Sequence, residues 1–429
     1  MKIGIISLGC AKNQVDTEQM LALLEKDGFT VTNRPEEAEV LIVNTCGFIT
    51  SAKEESIDAI LEMAQYKQTG RCRVLCVTGC LSQRYREELL EQIPEIDCLL
   101  GVYQYGHVAE YIRRALAGER VSPAEDSREF LECGRVLTTA PYSTYVRIGE
   151  GCDNRCAYCA IPLIRGDYRS RPKENILKEM AVLAAGGAKE QILISQDTSV
   201  YGKDTGSSLW ELMKDAVNTE GLEWLRVLYM YPDELGPGLL ENMAKEKKIC
   251  KYLDLPLQHA SPALLRAMNR RGDINKTRQL LHTARELGFT LRTTFIVGFP
   301  GETEDDFSRL MDFTEEIGFD RMGAFTYSPE ENTKAYDLSG QIAEEIKQER
   351  LDRLMKLQAA ISLERNRERL GTREKILVCG PLTGRSEREA PDADGVIRLV
   401  SELPTEEGTF VNAEIIQADT YDLTARVLL

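Results

Sequence analysis

Short apolar runs alternate with amphipathic stretches through the first quarter of the chain. Residues 2–8, 40–45 and 74–78 are apolar runs of strand length. Helical spacing fills the gaps between them. Ser51-Ala52-Lys53-Glu54 reads as a capping box that opens a helix through Ile57, Ile60, Leu61 and Met63. Such alternation predicts a mostly parallel sheet with helices on both faces. The pattern fades after Ala117, and residues 118–137 read as a polar linker. A second series follows, with strands predicted at 145–148, 191–195, 225–230, 252–257, 291–298 and 322–327. Helices such as 173–185 and 304–317 separate them. Six strand–helix units predict an open, partial (βα)6 barrel whose active site lies at the C-terminal strand ends. A charged helix from about 343 to 370 leads out of it. The last stretch changes character. Its β-type runs at 375–378, 395–399, 409–416 and 423–428 are separated by Gly, Pro and Asp turns, as in a small all-β barrel. The fold class is therefore α/β, with domains at 1–117, 138–368 and 369–429 and a linker at 118–137.

Composition narrows the function. A chain of 429 residues is too long for one ordinary core. No apolar run approaches the roughly 20 residues that span a bilayer, and Met1–Ser7 is too short for a signal peptide. A cytoplasmic protein without a membrane partner is expected. The net charge of −16 runs against a grip on nucleic acid and favours a basic partner. Twelve cysteines against three histidines point to thiol-held metal rather than disulfides.

The strongest chemical signal is Gly151-Cys152-Asp153-Asn154-Arg155-Cys156-Ala157-Tyr158-Cys159. Three thiols in a loop just after a predicted strand suit a four-iron cube with one iron left open. Zinc is the competing reading, but structural zinc asks for four ligands and no fourth lies close by in sequence. This Cys-x3-Cys-x2-Cys spacing, with Tyr158 as the aromatic before the last cysteine, resembles the radical S-adenosylmethionine superfamily. The resemblance implies that the open iron chelates S-adenosylmethionine, whose reductive cleavage gives a 5′-deoxyadenosyl radical. It also agrees with the partial barrel. Gly186-Gly187-Ala188-Lys189-Glu190 stands at the superfamily's glycine-rich position, which implies that Glu190 contacts the methionine end; a helix C-cap explains the glycines equally well. Gly298, in Gly298-Phe299-Pro300-Gly301-Glu302-Thr303, either lines the cofactor pocket or makes a tight turn before a helix. Gln196 and Asp197, at a strand end, either touch cofactor or substrate or serve packing. His259 follows a strand as polar pocket lining, with no catalytic proton transfer assigned to it.

Cys10, Cys46 and Cys80 are far apart in sequence, yet each directly follows a predicted strand. In a parallel sheet those ends share one edge, which makes a second three-thiol site. Cys72, Cys76 and Cys80 are evenly spaced, but Cys76 would lie about 13 Å down the strand from Cys80. Cys72 and Cys76 are therefore structural, and Cys98, Cys133, Cys250 and Cys379 are expected as small buried hydrophobes. Gly9-Cys10-x2-Asn13, Asn44-Thr45-Cys46 and Gly79-Cys80 ahead of the radical core resemble the methylthiotransferases, which end in a small β-barrel (TRAM) domain. That resemblance implies two 4Fe-4S clusters and S-adenosylmethionine as cofactors, and a reductant protein such as flavodoxin or ferredoxin.

Family members modify a tRNA adenosine or an aspartate of the small-subunit ribosomal protein twelve (uS12). Ser7–Asn13, Gly47-Phe48-Ile49, Gln196-Asp197-Thr198 and Arg385-x4-Ala390-Pro391-Asp392-Ala393-Asp394-Gly395 resemble the protein-modifying, RimO-type branch. Residues 371–429 carry six basic and eleven acidic side chains, a net of −5. That sign suits a basic ribosomal protein better than tRNA. The expected reaction is β-methylthiolation of the uS12 aspartate, with tRNA adenosine methylthiolation as the alternative. An electron carrier with two clusters and a ribosome-binding factor with structural clusters are the readings from other classes.

Overall fold

Three six-residue strands carry the N-terminal sheet because their residues are apolar on both faces. The structure is a computed structural model that describes every residue except 125–127 and 429. Strand β1 (Lys2–Ser7) leads into α1 (Ala11–Lys26) and the short β2 (Thr30–Val31). β3 (Val40–Thr45), α2 (Thr50–Thr69) and β4 (Val74–Gly79) follow, then α3 (Cys80–Arg84), α4 (Arg86–Gln92), β5 (Cys98–Leu99) and α5 (Val108–Leu116). The sheet order is β2-β1-β3-β4-β5, all parallel. Every residue of β3 and β4 is buried, as in a sheet covered on both sides. Met20, Leu24 and Ile112 pack on one face; Ile60, Met63 and Leu89 pack on the other.

Two expectations change here. The helix α2 starts at Thr50 with Ile49 as its N-cap and no capping side chain, so Ser51 already lies inside it. The described residues of 118–137 pack against the N-terminal unit rather than swing free. Arg135 and Thr138 bind the buried Glu18 of α1, Gln19 Nε2 donates to the Leu131 carbonyl at 3.0 Å, and Val121 enters the core. Polar residues serve here as staples across a helix. Residues 125–127 of that stretch lie outside the described residues.

The chain divides into two units. One holds Met1–Thr139, Glu150–Asp153 and Cys159–Arg171; the other holds Ala140–Gly149, Asn154–Tyr158 and Pro172–Leu429. β6 (Ser143–Arg147) is followed by β7 (Gly149–Glu150), α6 (Ile161–Arg165) and β8 (Arg169–Ser170). Then come α7 (Lys173–Ala185), β9 (Glu190–Ile194), α8 (Leu209–Ala216), β10 (Trp224–Val227), α9 (Pro237–Lys245), β11 (Tyr252–Gln258), α10 (Pro262–Ala267), α11 (Ile274–Glu286), β12 (Thr290–Val297), α12 (Glu304–Ile317) and β13 (Arg321–Thr326). The six strands form two parallel arcs, β10-β9-β6 and β11-β12-β13. Backbone bonds from Cys250 N–H to the Leu225 carbonyl (2.9 Å) and from Met230 N–H to the Asp254 carbonyl (3.0 Å) join the arcs. α12 keeps its predicted bounds because Thr303 and Asp306 form a complete capping box and Gly318 ends it in the left-handed region.

The long helix α13 (Glu344–Arg367) runs along β13. Lys347 and Gln358 donate to the carbonyls of Tyr327 and Phe319. The closed barrel β14-β15-β16-β18-β17 follows, formed by β14 (Arg373–Gly380), β15 (Thr383–Arg385), β16 (Ile397–Val400), β17 (Phe410–Ala418) and β18 (Leu423–Val427). Burial alternates residue by residue along β16, the signature of a one-sided core. Its Arg385–Gly395 loop closes the N-terminal end of the (βα)6 strands. Glu190, Tyr252 and Arg321, each the first residue of its strand, meet Arg385, Asp394 and Glu389 there. Glu389 is also paired with Arg369. Part of this segment's acidic excess is thus neutralised inside the seam and never reaches the surface. Among the described residues no helix is long and apolar enough to cross a membrane.

Candidate metal centre

Register decides the first site. Ser7 stands opposite Asn44, and Thr45 stands opposite Gly79. Cys10, Cys46 and Cys80 therefore leave one sheet edge side by side. Cys10 is the N-cap of α1 and Cys80 the first residue of α3. Exposure grades from Cys10, open to solvent, through Cys46 to the buried Cys80. Burial pushes the Cys80 thiol up to about 12, with Cys10 and Cys46 adding to the rise and Arg165 opposing it. Burial, and after it the neighbouring Cys10, also raises Cys46. A cation bound among the three cysteines would take the place of their protons.

The backbone around them is braced by side chains whose roles the sequence did not disclose. Asn13 Nδ2 donates to the carbonyls of Leu8 and Thr45, both at 2.9 Å. Asn44 Nδ2 donates to the Asn13 carbonyl at 2.8 Å and to Thr17 Oγ1 at 2.9 Å. Ser56 accepts from Cys46 N–H at 3.0 Å and donates to the Cys46 carbonyl at 2.9 Å. Asn13 and Asn44 stood beside cysteines in the sequence, which was their only signal. Ser56 had none.

A further residue was missed altogether. Arg165 closes α6, shortly past Cys159, and is 2% exposed. Its Nη1 donates to Glu150 at 3.0 Å. Its Nη2 donates to Asn13 Oδ1 at 2.9 Å and Asp16 at 3.0 Å, and lies 3.8 Å from Cys80 Sγ.

Among the described residues no three His, Cys, Asp or Glu side chains gather for a single ion. A cube spreads its ligands over separate corners, and the Cys10–Cys46–Cys80 edge, open at Cys10, fits that wider demand. Gly79 is essential to the fit. Its φ is +101°, and a Cβ there would lie 2.5 Å from the Thr45 carbonyl oxygen. Gly79→Ala is expected to bring in about half the iron of the parent chain on anaerobic reconstitution, with the secondary structure retained by circular dichroism. Full iron loading would show that Cys80 needs no such close approach.

Cys152, Cys156 and Cys159 lie on the loop between β7 and α6, Cys156 in the second unit and the other two in the first. In the first unit, Cys152 N–H donates to the Gly166 carbonyl at 3.1 Å and Tyr168 N–H to Asp153 at 3.0 Å. In the second, Ala157 is pinned by backbone bonds to Met268 and Ala335, both 2.8 Å. Arg270 Nη1 lies 3.7 Å from Cys156 Sγ and 3.3 Å from the Tyr158 hydroxyl, with the guanidinium over the Tyr231 ring. Asn154 takes a hydrogen bond from Arg271 and donates to Asp197 at 2.7 Å. Asp197 also accepts from the Ser199 N–H at 3.1 Å. Burial raises its carboxyl above 3.8 against those hydrogen bonds. Asp197 thus ties the end of β9 to the cysteine loop, and the half-buried Gln196 stands next to it.

Two other positions, Glu190 and His259, have different surroundings from those expected. Glu190 begins β9, at the opposite end from the cysteine loop. It is fully buried between Arg226, at 2.9 Å, and Arg385, whose cations hold its carboxyl down at about 2 against the cost of burial. Its carboxylate is spent on the seam with the small barrel, so contact with the methionine end is not its occupation here. Gly186 is the C-cap of α7, the alternative reading of that stretch. His259 is fully buried rather than lining a pocket. Its Nδ1 accepts from Ser261 N–H at 2.9 Å, which leaves Nε2 to donate to Glu302 at 3.1 Å. Glu302 also takes Arg350 at 2.9 Å and the N–H of Gly298, whose φ is +73°. Gly298 therefore sits at a C-terminal strand end in a braced tight turn. Cys72, Cys76, Cys98 and Cys250 are buried as expected, whereas Cys133 and Cys379 are only half-buried.

Three family models match successive parts of the chain. Residues 2–101 match uncharacterized protein family UPF0004, residues 146–314 the radical SAM superfamily and residues 374–428 the TRAM domain. A protein of Desulforamulus reducens named ribosomal protein uS12 methylthiotransferase RimO is 49% identical, covering 98% of each chain. One of the same name from Heliobacterium modesticaldum is 48% identical over 100% of this chain and 95% of its own. Among solved structures, the radical S-adenosylmethionine methyltransferase TsrM of Kitasatospora setae aligns with a TM-score of 0.57 at 16% identity. The alignment covers 78% of this chain and 76% of that one, and establishes likeness of fold.

Proposed function

Because the chain belongs to the family of ribosomal protein uS12 methylthiotransferases, we propose that it inserts a methylthio group at the β-carbon of a uS12 aspartate in the cytoplasm. The observation that carries this reading is the near-full-length identity to that family together with Cys10, Cys46 and Cys80 at one sheet edge. Two 4Fe-4S clusters and S-adenosylmethionine supply the radical, the sulfur and the methyl group when bound. Cys152, Cys156 and Cys159 hold one cluster, and Cys10, Cys46 and Cys80 hold the other.

The chain's own side chains do the positioning. Arg270 steadies Cys156 and Tyr158, and the Asp197–Asn154 bond fixes the start of the cysteine loop. Gln196 and the Gly298 turn, at C-terminal strand ends, line the cofactor side of the barrel. Buried Glu302 keeps that turn rigid, which preorganises the pocket. The electron comes from a small reductant protein of the flavodoxin or ferredoxin kind.

Anaerobic incubation of the reconstituted enzyme with S-adenosylmethionine, reductant and either uS12 or tRNA tests the reading. A mass gain of one methylthio group on a uS12 aspartate is expected. A gain on tRNA alone would establish the nucleic-acid reaction instead. Absence of S-adenosylmethionine cleavage would leave an electron carrier.

A further inference from the structure

Arg165 is a buried cation placed where the sequence reading saw none. Its guanidinium is shared among Glu150, Asp16, Asn13 and Cys80. The helix that bears it packs directly on the same cysteine, since Ala160, Ile164, Val102 and Cys80 form one apolar cluster. Its carbonyl is held by the Tyr103 hydroxyl, which also accepts from Arg169 at 3.2 Å. The backbone and both ends of the guanidinium are thus fixed, and the fork has no slack to turn away from Cys80.

We propose that Arg165 is a positioning residue that sets the reduction potential of the cluster held by Cys10, Cys46 and Cys80. The inference rests on the cluster assignment made above for those three cysteines. Hydrogen bonds to ligand sulfur and nearby charge are the main protein levers on such a potential. A guanidinium beside Cys80 stabilises the reduced, more negative cluster and draws the potential upward. Asp16, bound to the same Nη2 atom, acts in the opposite sense. Glu150 engages the other nitrogen and keeps the fork aimed, which a lysine ammonium at the same site would not reproduce. The residue comes from the stretch that immediately follows Cys159, so the segment completing the radical motif also supplies the cation of the other site.

The test uses the full-length chain with Cys152, Cys156 and Cys159 all replaced by alanine, so that one cluster remains. Iron is counted, and the midpoint is read by dithionite titration monitored by electron paramagnetic resonance. Relative to that parent, Arg165→Gln is expected to move the midpoint to more negative potential and Asp16→Asn to more positive potential, each with about four irons retained. A merely structural role would not produce shifts of opposite sign. If Arg165→Gln fails to fold, the positive shift of Asp16→Asn carries the test. Retained iron with no shift, or with shifts of the same sign, would overturn the role of Arg165 and leave the cluster assignment standing. A parent that binds no iron would overturn the assignment itself, and the inference with it.

Discussion

Replacing Cys10, Cys46 and Cys80 together by alanine is expected to lower the iron content from about eight to about four per chain, abolish methylthiolated uS12 and leave reductive cleavage of S-adenosylmethionine intact. The three positions share one edge, so none can be compensated by another thiol nearby. Cys76, the closest in spacing, is fully buried within β4 and points its sulfur toward Cys98 of the neighbouring strand. Iron and sulfide assays on the anaerobically reconstituted protein, with 5′-deoxyadenosine and the mass of uS12 measured alongside, distinguish the two halves of the reaction. Cys156→Ala is the converse, losing cleavage as well as product. Methylthiolated uS12 from the triple variant would separate this sheet edge from sulfur delivery.

The second large effect concerns the seam between the (βα)6 strands and the small barrel. Glu190→Ala is expected to destabilise the chain by about 3–5 kcal/mol, because Arg226 and Arg385 would remain buried without their anion. Glu389→Ala does the same to Arg321 and Arg369. Both carboxyls are held down at about 2 from an ordinary 4.5 by those cations, burial opposing. A depressed carboxyl stabilises the fold above its unfolded value, and that stability is lost as pH falls through the folded value. The urea midpoint should therefore hold from neutrality down to about pH 4.5 and drop between there and pH 2. Glu190→Gln should show a lower midpoint at neutrality and a shallower acid drop. An unchanged neutral midpoint in either alanine variant would mean the seam is held by its apolar contacts, such as Trp224 against Phe410.

The sequence carried the architecture wherever period and burial agree. β3 and β4 read as continuous apolar runs because both faces are covered, and α12 announced both ends through Thr303 and Gly318. The placement of Cys10, Cys46 and Cys80 at one sheet edge was legible because each follows a parallel strand. What supports them was not. Arg165 reaches Asn13 across 152 positions of chain, and an arginine or serine looks the same in sequence whether it caps a surface or fills a core. Glu190 was misplaced for the same reason: a charged residue before an apolar run gives no hint of which barrel end it faces. The Ala390–Gly395 motif marked the family, but its physical role, accepting from Tyr145 and Tyr252 through Asp392 and Asp394, needed coordinates.

The N-terminal unit is not a contiguous piece of chain, since Glu150–Asp153 and Cys159–Arg171 belong to it. A graft of residues 1–139 onto another radical core would arrive with Asp16 buried and its arginine left behind. Recombination between relatives at that natural-looking border should therefore yield inactive hybrids unless the recipient brings a matching 150–171 segment. Such segments are expected to be inherited with the front of the gene rather than with the core that surrounds them in sequence.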